Sequence, residues 1–232
     1  MGKDVIIALD FQTEEEVVHF LKEFKESVYV KVGMELFYSE GPQIVKKIKD
    51  MGHKVFLDLK LHDIPNTVLG ATKSIIKLDV DMTNLHAGGG KKMMKSAADV
   101  IEERASDLIM IAVTQLTSTD EETMRKDLLI EKSLNETVLH YAKNAKEAGM
   151  RGIVCSALEV PIIKKNLGED FITVTPGIRL EKNEAFDQAR VVTPKMAREL
   201  GSDYIVVGRP ITKNENPYEA YKEIKKDFMG DK

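Results

Sequence analysis

The chain has 232 residues, enough for one sizeable core and within the range of a single α/β barrel domain spanning 1–232. Its formal net charge of -4 gives no general electrostatic reason to bind nucleic acid or an anionic membrane surface, and no apolar run is long enough to span a bilayer. Met1-Gly2-Lys3-Asp4 runs into a short strand-like segment where a secreted protein would have a signal-peptide core, and the single cysteine, Cys155, has no partner for an internal disulfide, so a cytoplasmic protein is expected.

Short β-branched or apolar runs alternate with charged segments of helical periodicity along the whole chain. In chain order the predicted strands are Val5 to Asp10, Tyr29 to Gly33, Val55 to Lys60, Met82 to Ala87, Leu108 to Gln115, Gly152 to Ala157, Phe171 to Thr175 and Tyr204 to Gly208. Between them, Glu14 to Lys25, Pro42 to Met51, Val68 to Leu78, Lys91 to Arg104, Leu134 to Gly149 and Pro217 to Phe228 read as amphipathic helices. Strands alternating with helices, without a linker or a break in composition, predict a closed (β/α)8 TIM barrel. An open Rossmann-like sheet is the alternative, but no Gly-x-Gly-x-x-Gly follows the first strand.

The third strand carries the strongest chemical signal. In Phe56-Leu57-Asp58-Leu59-Lys60-Leu61-His62-Asp63-Ile64-Pro65-Asn66-Thr67, side-chain alternation puts Asp58 and Lys60 on one face and the leucines on the other. Asp63 follows where Ile64-Pro65 breaks the strand. A buried ion pair that fixes register would account for Asp58 and Lys60 alone. Barrel enzymes, however, place their chemistry at the carboxyl ends of the strands. Asp10 ends the first predicted strand, Lys31 lies in the second, and His86 ends the fourth ahead of Gly88-Gly89-Gly90. Asp10, Lys31, Asp58, Lys60 and Asp63 are therefore expected to converge on one mouth, their opposite charges offsetting most of the cost of burial. After strands seven and eight come Thr175-Pro176-Gly177-Ile178-Arg179, a polar loop with Gln188, and Gly208-Arg209-Pro210. Two arginines with glycines at adjacent strand ends suggest an anion site of the kind barrels use for phosphate.

The chain resembles the orotidine 5′-phosphate decarboxylase family in its bacterial form. The motifs Ile7-Ala8-Leu9-Asp10, Val30-Lys31-Val32-Gly33, Asp58-Leu59-Lys60-Leu61-His62-Asp63-Ile64-Pro65, Val174-Thr175-Pro176-Gly177-Ile178-Arg179 and Val206-Val207-Gly208-Arg209-Pro210-Ile211 match in order over nearly the whole chain. The resemblance implies cofactor-independent, metal-free conversion of orotidine 5′-monophosphate to UMP and carbon dioxide. Lys60 would protonate C6 of the pyrimidine, with Asp58 and Asp63 beside it. It also implies a homodimer with shared active sites, Asp63 coming from the neighbouring subunit. Asp10 and Lys31 would hold ribose hydroxyls, joined by Thr67 of the partner chain, and Ile64 and Thr117 would lie at the substrate. Gln188, Gly208 and Arg209 would grip the 5′-phosphate, with Arg179 at the base of a loop closing over it.

Two rival readings remain. A related family, the 3-keto-L-gulonate 6-phosphate decarboxylases, shares the Asp-x-Lys-x-x-Asp motif but uses magnesium, held partly by a glutamate on strand two. Lys31 stands at that position here, and its ammonium would repel the cation. A non-catalytic nucleotide-binding barrel is the other, but it would have no need of Lys60 or Asp58, and both are present. Cys155 reads as a buried strand residue, Met93-Met94 as helix packing and His62 as structural. Gly88-Gly89-Gly90 fits either an anion nest or a tight turn, and the charges at Asp120-Glu121-Glu122 and at Lys222, Lys225 and Lys226 read as solvated helix faces.

Overall fold

Alternation of inward and outward side chains along eight parallel strands sets the architecture, seen here in a computed structural model that describes residues 3–179 and 192–230. The strands are β1 (Asp4–Ala8), β2 (Tyr29–Gly33), β3 (Lys54–Leu61), β4 (Met82–His86), β5 (Ile109–Val113), β6 (Gly152–Val154), β7 (Ile172–Thr175) and β8 (Tyr204–Val207). Each pairs with the next, and β1 closes the ring on β8 with Asp4 opposite Tyr204 and Ile7 opposite Val207. This is the (β/α)8 barrel expected from the sequence.

Inward positions fill the barrel with Ile6, Tyr29, Phe56, Met82, Ile111, Val174 and Val206. Outward positions such as Val5, Val30, Leu57 and Ile205 pack against helical residues including Val17, Ile44 and Tyr221. The strands read as continuous apolar runs because both faces are buried. Polar side chains that project inward at the carboxyl ends therefore stand above this core and share one mouth.

Capping boxes start the helices Glu14–Leu21 (Thr13 with Glu16) and Leu134–Glu147 (Ser133 with Glu136), satisfying first-turn N–H groups that have no partner within the helix. The helix Pro65–Ile76 begins on a proline, whose missing N–H costs nothing at that position. It starts earlier than its predicted limit at Val68, so Asn66 and Thr67 belong to its first turn. Gly88 and Gly89 form a 3-10 turn running into the helix Gly90–Glu103, the tight-turn alternative for that glycine run. Met93 and Met94 are buried on that helix.

Candidate active site

Four of the five charges expected at the mouth are linked. The ammonium of Lys31 lies 3.5 Å from Asp10 Oδ1 and 3.6 Å from Asp58 Oδ2, and Lys60 Nζ donates to Asp58 Oδ1 at 2.7 Å. Signs alternate along Asp10, Lys31, Asp58 and Lys60. The chain runs from exposed Asp10 to Asp58, which is only 8 % exposed. Burial works to raise the Asp58 carboxyl pKa, but Lys31, Lys60 and hydrogen bonds from Lys60 and Asn84 outweigh it and hold the group below the usual carboxylate range.

The backbone beneath this network is irregular. From Leu57 to Leu61, β3 advances four residues while its partner β4 advances only from Thr83 to Leu85. The extra length is a bulge, a feature that re-aims side chains near active sites. Lys60 sits within it in the left-handed region, at φ 51°, a conformation that costs a residue with a side chain about 1 kcal/mol or more. Asn84 faces this bulge from β4 with 1 % of its surface exposed. Its Oδ1 accepts from the Lys60 backbone N–H at 2.8 Å, and its Nδ2 donates to Asp58 Oδ1 at 2.7 Å. Sequence reasoning missed Asn84. The available signal was a polar residue at the inward position between Met82 and His86.

A cavity of about 250 Å³ opens above the network, lined by Lys31, Asp58, Lys60, Asn84 and Thr117 together with apolar side chains that include Phe56 and Val174. Cys155 also borders it, but burial and then the nearby Glu159 push its thiol pKa well above the ordinary value, which suits a packing role better than a nucleophilic one. His86, at the end of β4, lies with its ring centroid 5.5 Å from that of His62. Burial, then His62 and Lys60, keep the His86 pKa below the usual histidine range.

Asp63 departs from the expectation of convergence within one chain. It is exposed, as are Ile64 and Thr67, on the rim where the helix Pro65–Ile76 begins, and its Oδ1 accepts from the Ile64 N–H at 2.6 Å. The strand ends at Leu61, and this segment leads into the helix that Pro65 begins. Across the barrel, Gly208 follows β8 so closely on β1 that a methyl group there would stand 3.4 Å from Asp10 Oδ2. Arg209 is exposed next to it. Arg179 is half-buried after β7, its guanidinium donating to the Ile178 carbonyl at 3.2 Å. Gln188 lies outside the described residues. Among the described residues, no three His, Cys, Asp or Glu side chains gather in a way that could hold a metal ion.

Comparison with known proteins points to one family. Orotidine 5'-phosphate decarboxylase from Bacillus anthracis is 57% identical over 235 residues, covering 99% of each chain. The crystal structure of orotidine 5'-phosphate decarboxylase from Lactobacillus acidophilus superposes with a TM-score of 0.88 at 44% identity, covering 98% of this chain and 99% of that one. An uncharacterized conserved protein from Geobacillus kaustophilus superposes with a TM-score of 0.86 at 45% identity, over 97% and 99% of the two chains. Residues 3–224 match the model of the Orotidine 5'-phosphate decarboxylase / HUMPS family, and this chain belongs to that family.

Proposed function

We infer that this protein decarboxylates orotidine 5′-monophosphate to UMP and carbon dioxide in pyrimidine biosynthesis, with Lys60 delivering a proton to C6. The observation that carries this reading is the alternating chain Asp10, Lys31, Asp58, Lys60 at the mouth of a barrel of this family. Loss of carbon dioxide leaves an electron pair on C6 in a ring that delocalises it poorly, so the barrier is set by how well that charge is stabilised. An ammonium held at 2.7 Å by Asp58 is a preorganised positive charge that needs no rearrangement as the pair develops. The same ammonium then supplies the proton, and C6–H forms as Lys60 becomes a neutral amine.

Asp10 and Lys31 hold the ribose hydroxyls, and Thr117 contacts the substrate in the cavity. Gly208 and Arg209, with Gln188 and Arg179, take the 5′-phosphate. Support comes from the close approach of Gly208 to Asp10, which sets the proposed phosphate grip next to a residue proposed to hold the ribose. Binding energy from that distant group is then available to drive the chemical step.

A second copy of the chain completes each site with Asp63, Ile64 and Thr67. Their exposure on the rim, including an Ile64 that leaves 66% of its surface uncovered, supports a shared interface. The reaction needs neither a metal nor an organic cofactor: Lys31 occupies the position where the magnesium-dependent relatives carry an acid, and it is already engaged with Asp10 and Asp58. Nucleic acid and membrane play no part in this reading. Among the described residues, no helix is long and apolar enough to cross a membrane. A cytoplasmic location fits an enzyme of nucleotide synthesis with a buried free thiol.

The test is to offer purified protein orotidine 5′-monophosphate and, separately, 3-keto-L-gulonate 6-phosphate, each with magnesium and with excess chelator. UMP formation that survives chelation, with no turnover of the sugar phosphate, is expected. Magnesium-dependent turnover of the sugar phosphate alone would overturn the assignment.

A further inference from the structure

We propose that Asn84 is a positioning residue for the decarboxylation, fixing through one side-chain amide both the backbone of Lys60 and the carboxylate of Asp58. The inference rests on the decarboxylase reading above and adds to it a residue outside the charged motif.

In a regular strand, residues two apart stand roughly 6.6 Å apart along the chain, and their side chains run parallel. Here the Lys60 ammonium reaches back to Asp58 at 2.7 Å from a backbone turned into the left-handed region. That conformation persists only where its surroundings hold it. The register shift between β3 and β4 falls at this point, and the Asn84 carbonyl oxygen accepts the Lys60 N–H there. The other end of the same amide donates to Asp58 Oδ1, the oxygen that also receives the Lys60 ammonium.

The two contacts have opposite polarity, so the position calls for one acceptor and one donor at asparagine's reach. Leucine would fill the space but leave the Lys60 N–H and an Asp58 lone pair without this partner. Aspartate would keep the acceptor and set a second carboxylate against Asp58. Asn84 thus couples the strained backbone that carries the acid to the anion that aims it, while lining the cavity.

Three proteins test this: wild type, Asn84→Ala and Asn84→Asp, each assayed for turnover of orotidine 5′-monophosphate and for affinity toward UMP, which lacks the departing carboxylate. In Asn84→Ala, kcat is expected to fall about 10²-fold, the scale of a misplacement near 1 Å, while UMP affinity stays within about threefold. In Asn84→Asp, the new carboxylate faces Asp58 and Lys60 of β3, with Lys31 of β2 and His86 of its own strand as the other charged or titratable neighbours. A proton shared with Asp58 restores the missing donor, so the deficit relative to wild type should shrink by about tenfold as pH falls from about 8 to 5.5.

A kcat for Asn84→Ala within about threefold of wild type, or a UMP affinity that falls in step with kcat, would overturn the proposal. So would an Asn84→Asp profile parallel to wild type across pH. Should Asn84→Ala not fold, the Asn84→Asp profile decides alone. Wild-type protein that leaves orotidine 5′-monophosphate untouched would instead remove the decarboxylase reading, and this inference with it.

Discussion

Lys60 Nζ and Asp58 Oδ1 stand 2.7 Å apart, joined by residues of one strand face that a bulge brings together. Replacing Asp58 by asparagine keeps the shape but leaves the ammonium groups of Lys31 and Lys60 without the anion between them. Turnover of orotidine 5′-monophosphate by Asp58→Asn should fall by about 10²-fold or more, the scale of losing one preorganised electrostatic partner. Steady-state kinetics beside UMP binding measures this, and a kcat near wild type would show that the lysine needs no such partner.

The proposed phosphate grip gives a prediction about a distant group. Arg209→Ala should lose about 2 kcal/mol in kcat/KM toward orotidine 5′-monophosphate, roughly thirtyfold, as expected for a charged hydrogen bond. The same variant should match wild type toward orotidine, which has no phosphate to hold. An equal loss on both substrates would place Arg209 outside the phosphate site.

The proposed shared sites predict complementation. Lys60→Ala and Asp63→Ala should each be inactive alone. Mixed after subunit exchange, they should recover about a quarter of the wild-type rate, since half the dimers are mixed and each of these holds one intact site. Absence of recovery after exchange is verified, by mass or by label, would contradict the shared-site proposal.

Two histidines set a pH dependence of stability. Burial lowers the pKa of His53, whose Nδ1 accepts the Val28 N–H at 3.2 Å, and burial followed by His62 and Lys60 lowers that of His86. The unfolded chain binds protons at these groups near pH 6.5 while the folded chain resists them, so stability is full above about 6.5 and falls as pH drops toward the depressed values. Asp58 acts in a lower window. Its lowered pKa contributes stability above the unfolded value near 3.9 that is lost as pH falls through the folded one. Denaturant midpoints at about pH 7.5 and 5.5 should differ, the lower pH being less stable, and His53→Asn should reduce the difference. Identical midpoints in the wild type would contradict the assignment.

Much of the barrel is legible in the residues themselves. Tyr29–Gly33 reads as a strand with its observed bounds, because a β-branched run ends on a glycine. Other ends overrun. The first strand is predicted to Asp10 but its pairing stops at Ala8, and the fifth is predicted to Gln115 but stops at Val113. In both, the residues beyond the ladder are those that border the site, and apolar continuity does not mark where pairing ends. The helices Met34–Glu40, Glu121–Lys126, Val160–Leu167 and Pro194–Glu199 are short, none much longer than two turns, which gives periodicity little room to declare itself. At the site, the charged residues announce themselves through the cost of burying them. Asn84 stands out less, since a neutral amide in a strand is a weaker mark of a site than a charge, and the left-handed turn at Lys60 leaves no mark in a lysine.

The most direct test of the central claim follows the ultraviolet absorbance of orotidine 5′-monophosphate in excess chelator, with wild type and Lys60→Ala compared at equal UMP occupancy. Wild type should convert the substrate fully, and Lys60→Ala should be slower by at least about 10³-fold while still binding UMP. A folded Lys60→Ala protein that turns over near the wild-type rate would contradict the role of Lys60 as the group that stabilises and protonates C6.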